Sequence, residues 1–202
     1  MSEGEIDFWF STGSTYTYLA VSRLDKVAAR AGVRFNWRPF SVRAIMREQN
    51  NIPFANKPIK SQYMWRDIAR RAALYGLEAR VPVPYPLQEF DLANRLALLG
   101  LAEGWGKPYI VASYRRWFVD GQEPGREPNL SASLAEVGQK VTDAVERASR
   151  DEVIKRYEAA TDEARKLGIF GSPTFVVGGE LFWGDDRLDD ALSWLRHGSL
   201  KR

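Results

Sequence analysis

The chain has 202 residues, 45% hydrophobic and 27% charged, which is enough to bury the core of one or two domains. Its 29 basic and 26 acidic residues leave a net charge of +3, with no long basic run, so composition does not point to nucleic acid. It has no cysteine, which excludes disulfides, thiol catalysis and zinc–thiolate sites, and its single histidine, His197, argues against a histidine metal cluster or a Ser-His-Asp triad.

In chain order, Ile6-Asp7-Phe8-Trp9-Phe10 reads as a short aromatic strand. Ser11 to Ser14 reads as a turn in which Gly13 permits unusual backbone angles. Tyr16, Leu19, Ala20, Leu24 and Val27 recur at helical spacing and predict one helix from Thr15 to Arg30, ended by Gly32. Val33 to Phe40 alternates as a strand. Such a β-turn-α-β start predicts two parallel strands joined by a crossover helix.

Helical patterns then run through roughly 58–76, 88–104, 107–119, 131–138 and 140–148, separated by Pro and Gly. Pro82, Pro84 and Pro86 form a stiff connector. A further helix over about 151–167 stops at Gly168, strands return at Thr174–Val177 and Leu181–Trp183, and a last helix follows from Arg187. The expected architecture is an α/β domain built from residues 1–50 and 150–202, interrupted by an all-helical insertion over 51–149. The N-terminus carries Glu3, Glu5 and Asp7 and no basic start before an apolar run, so no signal peptide is predicted. Nor does any apolar stretch reach membrane length, and a cytoplasmic protein is expected.

Chemistry is expected where the first strand turns into the first helix and where the chain returns to the sheet. Ser14 stands at the helix start, where free backbone N–H groups and the dipole favour an anion, a thiolate included. Ser is also a preferred N-cap, and the turn taken alone favours plain capping. Near the other end, Pro173 directly precedes an apolar strand. A proline there leaves neighbouring backbone groups free to bind an extended ligand, and its X-Pro bond is a candidate cis bond. Asp185 and Asp186 open the last helix, as N-caps or as acceptors for a ligand ammonium. Lys60, Tyr63, Asp67 and Arg70 share one polar helix face. Asp67 and Arg70 read there as solvated ion pairs, while Lys60 could meet a carboxylate. Trp65 reads as packing, and Trp183 as the tryptophan beside the ligand.

The segment Asp7-Phe8-Trp9-Phe10-Ser11-Thr12-Gly13-Ser14-Thr15-Tyr16-Thr17-Tyr18 resembles the opening of the 2-hydroxychromene-2-carboxylate isomerases. These belong with the kappa-class glutathione transferases in the DsbA-like branch of the thioredoxin superfamily. The resemblance places Ser14 at the catalytic position, where redox relatives carry their first cysteine, and Thr17 at the second. Two residues depart from the pattern: Thr15 stands where the family usually has proline, and Ser11 where it often has aspartate. Asn50-Asn51-Ile52-Pro53 is similar to a family loop whose asparagine contacts glutathione, which implies that role for Asn51. Lys60 and Tyr63 resemble a Lys-x-x-Tyr helix, and Asn94 an asparagine on the following helix; all three are implied in substrate binding. Phe170-Gly171-Ser172-Pro173-Thr174 matches the cis-proline segment, and Trp183-Gly184-Asp185-Asp186-Arg187 the terminal ligand turn, which implies Ser172, Pro173, Asp185 and Asp186 for the cofactor.

The resemblance therefore implies a thioredoxin-like α/β domain with an inserted helical domain, glutathione as cofactor, a small aromatic substrate and a homodimer. No metal, nucleic acid or membrane partner is expected. The implied activity is isomerisation of a 2-hydroxychromene-2-carboxylate type of substrate. A kappa-like glutathione transferase and a redox-inactive DsbA-like peptide-binding module remain open alternatives.

Overall fold

The computed structural model describes residues 4–51, 54 and 57–201, so Ile52 and Pro53 of the asparagine-containing loop lie outside the described residues. Strands β1 (Gly4–Phe10), β2 (Val33–Pro39), β3 (Thr174–Val177) and β4 (Glu180–Trp183) form one mixed sheet in the order β2-β1-β3-β4. The first two strands are parallel, while β3 and β4 run antiparallel to their neighbours. Phe8, Trp9 and Phe10 of the central β1 are all fully buried, so both faces of the sheet are covered. Alternation along β1 puts Phe8 and Phe10 on one face, where Phe8 meets Trp37 of β2 and Phe175 of β3 at 5.1 and 5.4 Å between ring centroids. Trp9 points the other way, onto Phe40.

Between β1 and β2 come α1 (Thr15–Val21) and α2 (Leu24–Ala31). The single helix expected over this stretch is thus broken at Ser22 and Arg23. Arg23 leaves helical geometry while its side chain packs over the Tyr75 ring and donates to the Asp185 carbonyl, contacts that a local pattern does not encode. After β2 follows α3 (Val42–Glu48), a helix the sequence reading passed over. Its signal was present: Ser41 caps it by accepting from the Ala44 N–H, with Val42 and Ile45 apolar one turn apart.

The expected helical run is α4 (Pro58–Leu74), α5 (Phe90–Glu103), α6 (Gly106–Asp120), α7 (Asn129–Glu136), α8 (Val141–Ala148) and α9 (Asp151–Lys166). Pro58 at the first position of α4 suits a helix start, and left-handed glycines close α5 and α6. The last helix is α10 (Leu188–His197), entered through a single 3-10 turn at Asp185–Arg187. Among the described residues no helix is long and apolar enough to cross a membrane. Among the described residues ten α-helices surround the mixed sheet, an α/β arrangement of the thioredoxin type. It brings the β1–α1 turn against the start of β3 and beside α4.

Candidate functional site

Ser14 occupies the N-cap position of α1, with extended backbone angles, yet its side chain makes no capping hydrogen bond. The hydroxyl instead donates to the carbonyl of Ser172, 2.6 Å away and 158 residues distant in sequence. Ser172 precedes Pro173 through a cis peptide bond. Plain capping is therefore not what this serine does, and its half-buried Oγ faces the proline segment. The Ser172 N–H has no hydrogen-bond partner among the described residues, so that short piece of backbone is open to a ligand. Helix α1 spans only seven residues, so little dipole reinforces the site, and the Ser14 hydroxyl is left as its main polar group.

The turn is held from three sides. Ser11 donates its N–H to Ser172 Oγ at 2.8 Å, and that oxygen also lies 2.8 Å from the Thr17 hydroxyl. Thr12 donates its N–H to Asn94 Oδ1 at 2.8 Å, while Asn94 Nδ2 donates to the Phe90 carbonyl. From α6, the Tyr114 hydroxyl reaches the Ser11 and Ser14 carbonyls at 2.9 and 3.2 Å. Burial pushes that phenol well above its ordinary value, so it stays a donor. Gly13 is required here, because a Cβ would stand 2.3 Å from the Phe90 ring.

The structure gives several of the expected residues places of their own. Asn94 is fully buried with its amide engaged inside the chain, where it braces the turn from beneath. Ser172 is buried too, and offers backbone to a ligand, its hydroxyl being engaged by Ser11 and Thr17. The two departures also find places: Thr15 donates to Met64 Sδ of α4 at 3.3 Å, and Ser11 is fully buried.

Asp185 and Asp186 divide their work. Asp185 is 1% exposed, accepts from Tyr75 Oη at 3.1 Å and pairs with Arg23 at 3.7 Å, so it staples the terminal turn to α4 and to the α1–α2 junction. Burial pushes its carboxyl up to about 6, against the pull of Arg71 and Arg23. Its side chain is thus engaged within the chain by Tyr75 and Arg23. Asp186 is the exposed member, 3.5 Å from both Arg71 and Arg187. Gly184 before it has φ +117°, and a Cβ there would meet Asp186 Oδ1 at 2.5 Å.

Sequence reasoning took Asp67 and Arg70 as a solvated pair and did not single out Arg71 or the Tyr16 phenol. Asp67 accepts from Tyr16 Oη and from Arg71 Nε, both at 3.0 Å, and Arg71 continues to Asp186. Burial opposes ionisation of Asp67, but hydrogen bonds from Arg71 and Tyr16 outweigh it and hold the carboxyl below its ordinary value. The i, i+4 spacing of Asp67 and Arg71 was the available signal. The result is a polar line from α1 through α4 to the terminal turn.

The face of α4 that borders a cavity of about 610 Å³ carries Ser61 and Trp65. Lys60 and Tyr63 do not line it. Tyr63 is 62% exposed with Arg70 over its ring, and Lys60 reaches only the Phe54 ring, 5.5 Å away. Trp65, expected as packing, stands in the cavity wall edge-on to Tyr85. Asn51 is exposed just beyond α3, where its N–H donates to the Met46 carbonyl. The half-exposed Trp183 packs on Phe170 at 4.8 Å and closes over Gly171, beside Ser172.

A serine turn facing a cis-proline segment across a β2-β1-β3-β4 sheet defines a cysteine-free variant of the thioredoxin architecture. The chain belongs to the DSBA-like thioredoxin domain family, whose model matches residues 5–196. It is 28% identical over 192 residues to a 2-hydroxychromene-2-carboxylate isomerase of Sphingobium xenophagum, covering 94% of this chain and 97% of that protein. It is also 25% identical over 195 residues to glutathione S-transferase kappa 1 of Caenorhabditis elegans, covering 90% and 86%. A solved 2-hydroxychromene-2-carboxylate isomerase superposes with a TM-score of 0.83 at 25% identity, over 96% of this chain and 97% of that one.

Proposed function

We propose that this protein is a glutathione-dependent isomerase that acts on a small conjugated aromatic substrate of the 2-hydroxychromene-2-carboxylate type. The observation that carries the reading is the Ser14 hydroxyl, freed from capping and directed at the backbone before Pro173. The residues present suit glutathione. Ser172 offers a free N–H for its cysteinyl backbone, and the exposed Asp186 carboxylate suits its ammonium group.

When bound, glutathione supplies a thiolate that adds reversibly to a conjugated substrate and then leaves it. Ser14 Oγ turns its proton from the Ser172 carbonyl to the sulfur, a charge-assisted hydrogen bond that favours the ionised form. Tyr114, Asn94 and Ser172 keep the turn in place, so that only the hydroxyl proton has to rotate. Asp186, oriented by Arg71 and Arg187, would hold the ammonium group of the cofactor. No thiol of the chain takes part, since it has no cysteine.

The kappa relatives support a second reading, in which the same Ser14 chemistry ends with glutathione retained on the product. Product analysis by mass separates the two. The resemblance further supports a cytoplasmic homodimer, and sedimentation of the purified protein measures its oligomeric state. The primary test is calorimetric titration of glutathione into wild type and Ser14→Ala, with thiolate absorbance followed across pH. Saturable binding with thiolate formation lost in Ser14→Ala is the expected result. Absence of binding to wild type overturns the reading.

A further inference from the structure

A cavity of about 610 Å³ opens beside Gly13, the residue before Ser14. Trp65 and Tyr85 form an aromatic corner in its wall, with ring centroids 6.0 Å apart and planes at 89°, and Phe90 also lines it. Two guanidinium groups, Arg43 and Arg47 of α3, share this lining, and no Asp or Glu does.

Other arginines near the site and in the second cleft face carboxylates. Arg71 is paired with Asp67 and Asp186, and Arg165 with Glu48 and Asp162. A smaller cleft between α3, α5 and α9 sets Arg95 and Arg165 against Asp91, Glu158 and Asp162. Arg43 instead donates from Nη2 to the Leu87 carbonyl at 2.8 Å and lies 4.1 Å over the Phe90 ring. The Arg47 guanidinium makes no hydrogen bond or ion pair among the described residues. Asp91, Tyr85 and Tyr157 face Arg43 by charge, and none of them is in an ion pair with it. The two arginines stand one helical turn apart, an arrangement in which like charges repel.

We propose that Arg43 and Arg47 receive the carboxylate of an aromatic acid and make the cavity selective for anionic over neutral conjugated substrates. The proposal rests on the reading of Ser14 given above. A carboxylate accepts from guanidinium forks at short range and relieves the repulsion between them, all the more in a wall of low polarity. With its carboxylate at α3, a two-ring acid lies against Trp65 and Tyr85, and its rings extend toward Gly13 and the Ser14 hydroxyl. A volume of this size lies in the range of small-molecule sites. The role expected of Lys60 thus passes to residues on a different helix.

The probes are 2-naphthoate and its neutral counterpart 2-naphthamide, titrated calorimetrically into the full chain in saturating glutathione. Wild type is expected to bind the carboxylate at least tenfold more tightly than the amide. Arg47→Met should lower carboxylate affinity about tenfold and leave the amide unchanged, with part of the loss recovered in Arg47→Lys. Arg43→Met should do the same. Because Arg43 also packs on Phe90, the exposed Arg47 keeps the test decisive if Arg43→Met does not fold. Equal affinities for the two probes, no binding of either at millimolar concentration, or an unchanged carboxylate affinity in Arg47→Met overturns the proposal. A separate titration with glutathione alone tells the two failures apart. If glutathione binds but the carboxylate is not preferred, only the arginine assignment falls. If glutathione does not bind, the Ser14 reading falls whatever the naphthoate does.

Discussion

The turn that carries Ser14 and the cavity beside it are held in different ways. Directional bonds from Ser172, Asn94 and Tyr114 fix the turn, and these partners come from three distant parts of the chain. Thr12 Oγ1 is the exception there, buried without a partner. The cavity wall is mostly rings and alkyl surface, and the Arg43 bond to Leu87 is its one polar tie noted above. Hydrogen bonds set position to a fraction of an ångström, whereas apolar walls accept a range of shapes. The molecule therefore keeps rigidity where a bond would be made and leaves choice of substrate to shape and charge.

The largest effect that would break this contrast is on activity. Ser14→Ala should lower turnover with glutathione by about a hundredfold or more. Its melting temperature should change little, because the hydroxyl is no cap and only one hydrogen bond is lost. Loss of stability matching the loss of activity would make Ser14 structural. Next comes Asn94→Leu, which strips the Thr12 N–H of its acceptor inside the core. Denaturant unfolding should show a cost of about 2–3 kcal/mol. A neutral result would mean that the turn does not depend on its brace.

The third effect depends on pH. The Asp185 carboxyl rises from its ordinary 3.8 to about 6 in the folded protein, chiefly through burial. The folded state then holds a proton that the unfolded state has released. This contribution is fully present below about pH 4, falls as pH rises to about 6, and is level above that. Asp185→Asn should abolish that fall, so melting curves of wild type and variant should diverge by a few degrees between pH 4 and 6. Parallel curves would mean that Arg23 and Arg71 outweigh burial. The smallest effect is at the exposed neighbour. Asp186→Asn should weaken glutathione about fivefold in calorimetry, near 1 kcal/mol, and leave stability unchanged.

Much of this could be read along the chain. The aromatic strand, the serine turn and the proline before β3 are local signals, and in the structure Ser14 faces Ser172. Helices with regular apolar spacing and Gly or Pro at their ends were also legible, among them α5, α6 and α9. Long-range choices were not. Whether an exposed-looking polar residue sits inside depends on what packs over it, so the burial of Asn94 beneath the turn was not legible. Lys60 and Arg43 are both cations on helices near the site. Only the rotation of α3 and α4 about their axes decides which one meets the cavity, and a sequence pattern does not fix that rotation.

One phenol has a consequence for engineering. Tyr114 sits in α6, between the two pairs of strands, and its hydroxyl meets the carbonyls of Ser11 and Ser14, 103 and 100 positions earlier in the chain. The reactive loop is thus clamped by a segment that contributes no strand. Trimming the protein to a bare thioredoxin-sized scaffold would keep the whole sheet and discard the clamp. The loop is not a portable cassette, and grafting it onto a smaller relative would require rebuilding Tyr114 and the helix that presents it.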